Sequence, residues 1–367
     1  MTNRERFKAA MHFEPTDYPC HVEWGFWHET YLRWKDEGLP SEVTEPTFFG
    51  LSEGIDLFRY FGIVKFGYLP IEKYYIPPFE YEILDETDDW RIERTSLGVI
   101  QKVSKRSPTL PQFLDYPIKS RKDYEAFRER LNSNINIRYP KNWDEIAKSL
   151  REQSDTLVVV HIDGFFGYPR EIMGLENFLL TFYDDPNLIR EIINDRVEFY
   201  KTLYEKAIRD TQPDCAFIWE DMCYKKGPLL SPALVREFLL PAYKELTGYF
   251  RDMGVVDIVV DSDGNTLELI PLWLEGGITG HLPFEVKAGM DIVKIGELFP
   301  NLRILGGINK HKLELGLEEI DEEVDRVLPR MSKRGGYIVA LDHWVHPEIP
   351  LKNYEYFVEK IRKYKDK

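Results

Sequence analysis

Carboxylates and histidines recur just past short apolar runs in this chain. The segments L-V-V-V-H-I-D-G (157–164), C-A-F-I-W-E-D-M (215–222), D-I-V-V-D-S-D-G (257–264), I-T-G-H-L-P-F-E (278–285), R-I-L-G-G-I-N (303–309) and Y-I-V-A-L-D-H-W (337–344) all end on polar residues. A short apolar run suits a strand buried on both faces, and polar groups at its exit must face a cleft or solvent. The exits supply His161 and Asp163, Glu220 and Asp221, Asp261 and Asp263, His281 and Glu285, Asn309, and Asp342 and His343. Carboxylates gathered at one place repel unless a cation or shared protons neutralise them. Oxygen donors with one or two imidazoles suit zinc, manganese or another divalent cation, and an open coordination position would make such a centre catalytic.

Each position also has a purely structural reading. His161 and Asp163, two apart, share a strand face, and His161 is equally a partner for a buried backbone group. Glu220 and Asp221 point to opposite sides, so one of them is expected to cap a helix or join a salt bridge. Asp261 and Asp263 share a face, and Gly264 lets the chain turn after them. Glu285 follows Pro283, which can fix the direction of exit. Asp342 and His343 open the final loop, with His346 three residues on; one of these histidines is expected to be a loop hydrogen bonder. The aromatics Trp24, Phe26, Trp27 and Trp34 are either core or the wall of an apolar pocket.

What must position these groups is an alternation of strands and helices. The six segments above, with strand candidates at 19–26 and 63–69, make eight, and helical stretches such as 187–209, 232–253 and 317–334 separate the later ones. Eight such units argue for α/β architecture closed into a (β/α)8 TIM barrel, the runner-up being an open doubly wound sheet; no G-x-G-x-x-G follows the first strand. Thr2 to His12 reads as a helical N-terminal extension. Residues 79–107 alternate apolar and polar side chains between turn signals, the mark of an inserted antiparallel β-meander. All 367 residues are read as one domain.

The net charge of -15 argues against nucleic acid or an anionic membrane surface as partner. Cys20, Cys215 and Cys223 form no C-x-x-C pair, and no run of 18 apolar residues occurs, so a cytoplasmic location is expected.

Four segments resemble the uroporphyrinogen decarboxylase superfamily: N-R-E-R-F-K-A-A-M-H-F-E-P-T-D-Y-P (3–19), G-L-E-N-F-L-L-T-F-Y-D-D-P (174–186), S-P-A-L-V-R-E-F-L-L-P-A-Y (231–243) and G-G-Y-I-V-A-L-D-H-W-V-H-P-E-I-P-L-K-N-Y (335–354). The resemblance implies a (β/α)8 barrel and, by analogy, a homodimer. True decarboxylases of that superfamily bind a polycarboxylate through an arginine-rich N-terminal R-Q-A-G-R-type segment. Here the stretch is V-E-W-G-F-W-H-E-T-Y-L-R-W, with only Arg33. Several carboxylates need cationic partners, so this departure points away from haem biosynthesis. The corrinoid-dependent methyltransferase branch carries zinc on an H-x-C-G motif and a later cysteine. Those places fall on Asp261-Ser262-Asp263-Gly264 and near Asp342 and His343, where oxygen and imidazole replace the thiolates.

The expectation is therefore a metal (zinc)-dependent methyltransferase that demethylates a small methylated substrate, a methoxylated aromatic, and passes the methyl group to a corrinoid (cobalamin) protein. Glu220, Asp263, Glu285 and His343 are its expected metal ligands. Asp261 and His161 would stand beside the metal or donate a proton, and Trp24, Phe26, Trp27 and Asp163 would meet the substrate. The alternatives are a metal-free decarboxylase, in which Asp261 or Asp263 steadies a protonated pyrrole, and a non-catalytic subunit that docks a corrinoid protein.

Overall fold

The computed structural model describes residues 1–46, 54–106, 110–131 and 134–364. Seven parallel strands form the central sheet: β1 (Lys65–Tyr68), β2 (Thr156–Asp163), β3 (Cys215–Trp219), β4 (Ile258–Asp261), β5 (Gly280–Leu282), β6 (Arg303–Leu305) and β7 (Tyr337–Ile338), each paired with the next in the chain. The circle closes through residues 19–26, where a full strand was expected. Only isolated parallel bridges form there, His21 to Val339, Val22 to Val64 and Phe26 to Val345, the first two held by Val22 N–H to Val339 O at 3.0 Å and Val64 N–H to His21 O at 2.9 Å. Pro19 brings no N–H to that ladder. The result is the (β/α)8 barrel that the strand count implied.

The strands sort their side chains with period two. Val64 and Phe66, Leu157 and Val159, Cys215 and Phe217, Val259, Leu305, and Ile338 and Ala340 fill the interior, joined at its floor by Phe7, Ala10 and Met11 of α1 (Asn3–Met11). Their neighbours Val158, Val160, Ile162, Ala216, Ile218, Ile258 and Val260 pack outward against the helices. Continuing each parity past the strand ends puts Trp24, Tyr68, His161, Asp163, Asp261 and Asp342 on the inner side and Glu220 and His281 on the outer side.

The helical layer follows the expected pattern. The helix expected at 187–209 is α2 (Pro186–Thr211), which starts with Asp185 accepting from Leu188 N–H and with proline in its first turn. The stretch expected at 232–253 is helical to Asp252, with one π-helical turn over Val235–Leu239 and Met253 as the C-cap. The last long helix before β7 spans Leu317–Arg334, as the sequence predicts. The meander has four antiparallel strands, Glu82–Glu86, Trp90–Arg94, Ile100–Ser104 and Gln112–Asp115, and so runs beyond the expected limit of 107. Gln112–Asp115 is too short and too polar to announce itself by alternation. No described helix is long and apolar enough to cross a membrane.

Candidate active site

At the carboxyl ends of the strands, Asp263, Glu285 and His343 come together, their ligand atoms all within 4.8 Å of one another. His343 Nε2 lies 3.6 Å from Asp263 Oδ2, with both side chains partly exposed to the mouth. Glu285 Oε2 accepts the Gly264 N–H at 2.8 Å, which leaves its second oxygen for the centre. Burial and the charge of Asp263 push the Glu285 carboxyl above its ordinary range, and burial with Asp263 and Asp221 pushes Asp261 well above it. Two carboxylates and an imidazole at this spacing form a donor set that fits a divalent cation. His343 is held in place by its neighbour. Asp342, buried, accepts Val286 N–H at 3.0 Å and Lys310 N–H at 3.1 Å, tying the loops after β5, β6 and β7 to one residue.

Glu220, expected among the ligands, does not join them. Its parity turns it outward, where its oxygens accept the N–H groups of Phe165, Phe166 and Gly167 at 2.7–3.0 Å and the hydroxyl of Tyr243. It is fully buried and serves the first turn of Gly167–Met173. A Cβ on Gly164 would lie 2.1 Å from the Glu220 carboxyl carbon, so only glycine leaves room for it. Asp221 pairs with Arg170 at 2.8 Å; the helix-cap and salt-bridge roles foreseen for this pair are thus both filled. His281 is also outward and buried, its ring stacked on Trp273, and burial holds its pKa down to about 3.

Across the mouth stands a cluster that residue types alone did not reveal. Lys73 Nζ bonds His161 Nδ1 at 2.6 Å and Asp163 Oδ1 at 2.7 Å, and Arg196 Nη2 lies 3.7 Å from Asp163 Oδ2. Burial lowers His161 to about 3, with the Lys73 charge adding to it, so the ring is neutral. Because Nδ1 accepts from an ammonium, Nε2 carries the proton. Burial opposes ionisation of Asp163, but the positive charges of Lys73 and Arg196 hold its carboxyl below the usual value. Asp163, expected to meet the substrate, is instead buried in this ion pair. The sequence carried two signals: a lone lysine in the apolar stretch L-P-I-E-K-Y-Y, and Arg196 on the apolar face of α2.

Next to these groups lies a cavity of about 270 Å³ walled by Trp24, Phe26, Phe58, Phe66, Tyr68 and Trp344. Trp24 stacks on Phe66 with ring planes 6° apart and donates Nε1–H to Leu341 O at 2.9 Å. Tyr68 sets its ring edge-on to His161, and Trp344 follows His343 directly, so cavity, cluster and carboxylates share one mouth. Of the expected aromatics, Trp24 and Phe26 line the cavity, although Phe26 is largely turned into the core against Trp34 and Phe58. Trp27 sits outside it, exposed and edge-on to Trp344.

A closed parallel barrel with its polar residues on the carboxyl ends of the strands defines the class of protein. The chain belongs to the uroporphyrinogen decarboxylase (URO-D) family, whose profile matches residues 90–364. It is 30% identical over 142 residues to a uroporphyrinogen decarboxylase of Geobacter metallireducens, a match covering 38% of this chain and 40% of that one. A uroporphyrinogen decarboxylase of Syntrophotalea carbinolica is 24% identical over 263 residues, 68% of this chain and 71% of the other. Among solved structures, a methyltransferase from Methanosarcina mazei superposes with a TM-score of 0.64 over 99% of this chain and 98% of its own, at 16% identity, a likeness of fold.

Proposed function

We propose that this protein is a metal-dependent methyltransferase that removes the methyl group of a small methoxylated aromatic and passes it to a corrinoid protein. The observation that carries this reading is the Asp263, Glu285 and His343 triad, linked through Trp344, the residue after His343, to a cavity with aromatic walls. Those three residues would hold the cation, zinc by donor type, and the aromatic faces of Trp24 and Trp344 would line the place of the substrate ring. A bound divalent cation supplies Lewis acidity at an ether oxygen. As the carbon–oxygen bond breaks, the oxygen keeps the electron pair and needs a proton. His161 can deliver one from Nε2 while Lys73 resupplies Nδ1, a relay the 2.6 Å contact permits. The methyl carbon leaves toward an acceptor presented at the open mouth.

The activity named for the curated relatives, decarboxylation of uroporphyrinogen, is the competing reading. It requires cations for several carboxylates, and Arg33, the one arginine of the N-terminal aromatic segment, is already engaged with Glu37 and Pro347 O. The test is to purify the chain without a nickel column, measure its divalent metal, and incubate it with a methoxybenzoate and reduced cobalamin. The corresponding hydroxybenzoate and methylcobalamin should appear, and His343→Ala should lose both metal and product. Undiminished turnover in chelated protein, or carbon dioxide released from a porphyrinogen, overturns the proposal.

A further inference from the structure

His311, Glu314 and His346 form a second group of potential ligands, again with all donor atoms within 4.8 Å. His311 and Glu314 lie one turn apart on the short helix Lys310–Leu315 that follows β6, and His346 comes from the loop after β7. Their side chains are 28%, 26% and 14% exposed, sheltered but reachable from solvent. The two imidazole rings stand 5.4 Å apart, and His311 Nδ1 is in contact with Glu314 Oε1.

The decisive feature is the state of His346. Its Nδ1 is engaged by the carboxylate of Glu348, a contact that in the neutral ring holds the proton on Nδ1 and leaves the lone pair on Nε2. That Nε2 is buried, has no hydrogen-bond partner among the described residues, and sits 3.1 Å from Glu314 Oε1, out of line for a hydrogen bond. A nitrogen lone pair facing a carboxylate oxygen at that distance is repulsive unless a proton or a metal ion lies between them, and the poor alignment for a hydrogen bond favours the metal ion. Two imidazoles and one carboxylate, with one imidazole oriented by an outer carboxylate, are the ligand types and supporting contact of a zinc centre with a fourth position for water.

We infer that His311, Glu314 and His346 bind a second divalent cation of the zinc class, which fastens the loop carrying His343 and Trp344 to the helix after β6. This site is separate from the Asp263, Glu285 and His343 group and does not depend on the reaction proposed for it.

The experiment uses the full chain, stripped with a chelator and titrated with zinc chloride by calorimetry and metal analysis. Wild-type protein should take up one more zinc ion than the His311→Gln/His346→Gln variant, while Asp263→Ala/His343→Ala keeps the ion at this site. If the first group binds no metal, the expected counts are one and none, so failure of the two sites is distinguishable. A second measurement needs no variant: zinc should protect His311 and His346 of the wild-type chain from diethylpyrocarbonate, read by mass spectrometry. Equal zinc uptake by wild type and the histidine variant, or no protection of either residue, overturns the inference.

Discussion

The backbone N–H of Gly264 donates to Glu285 Oε2 at 2.8 Å, joining the turn after β4 to the exit of β5. Gly264 has φ of 81°, and a Cβ there would come within 2.7 Å of Tyr224 N. No side chain fits without moving backbone. The aspartate exit and the glutamate exit are therefore one unit, with the glycine as its joint.

Gly264→Ala should accordingly weaken metal binding through Glu285 as well as the fold. We expect a loss of about 1–3 kcal/mol from the strained backbone, read by urea denaturation, together with a weaker zinc titration at the Asp263 group. Unchanged zinc affinity in a destabilised variant would show that Glu285 does not need this anchor.

Glu220→Ala should cost stability and spare metal content. Removing the carboxylate leaves buried N–H groups and the Tyr243 hydroxyl without their acceptor, each unmet group costing about 1–3 kcal/mol. Metal analysis beside the denaturation curve is the check. A folded variant short of one ion would restore Glu220 to the ligand set.

Lys73→Met breaks the buried pair with Asp163 and should destabilise the fold by about 3–5 kcal/mol. A double variant, Lys73→Met with Asp163→Asn, should recover little of that loss, because the fully buried Arg196, 3.7 Å from Asp163, then loses its carboxylate partner. Under the proposed chemistry both variants also lose turnover at saturating substrate more than they raise KM, since proton delivery through His161 is interrupted. A variant that keeps wild-type kcat would remove Lys73 from the reaction.

Acid should unfold the protein through its buried histidines. His161 and His281 titrate near 3 in the folded chain because burial disfavours the imidazolium, against about 6.5 when unfolded. Between those values the unfolded state binds more protons, so stability falls as pH drops from about 6.5 toward 3. Each such histidine adds a slope of about 1.4 kcal/mol per pH unit. His281→Phe should flatten the acid limb of chelated protein by one such contribution; an unchanged limb refutes the assignment for this ring.

The barrel was legible because alternation of strand and helix survives in a single sequence, and the strand exits named most of the mouth. Asp263, Glu285 and His343 were chosen by type and location, and the fold does gather them. Glu220 was misread although parity was available: Cys215 and Phe217 point inward, so Glu220 points out. Its carboxylate answers backbone donors at 165–167, a demand created by the adjacency of β2 and β3. Lys73 and His161, 88 residues apart, likewise meet only because β1 lies beside β2. Trp344 became a cavity wall through the final loop folding back over Gly25, a position that no local pattern encodes.

Asp342 and His343 divide their work between neighbouring positions. The aspartate gives both oxygens to the frame, to Val286 and Lys310, and the histidine is left to face the centre. Framework and chemistry are thus encoded by different letters of the sequence. Residues 263 and 343 carry no such frame contact among the described residues, so they can be exchanged for softer or harder donors while Glu285 and Asp342 keep the spacing, which makes this mouth a starting point for tuning the preference of the proposed metal site.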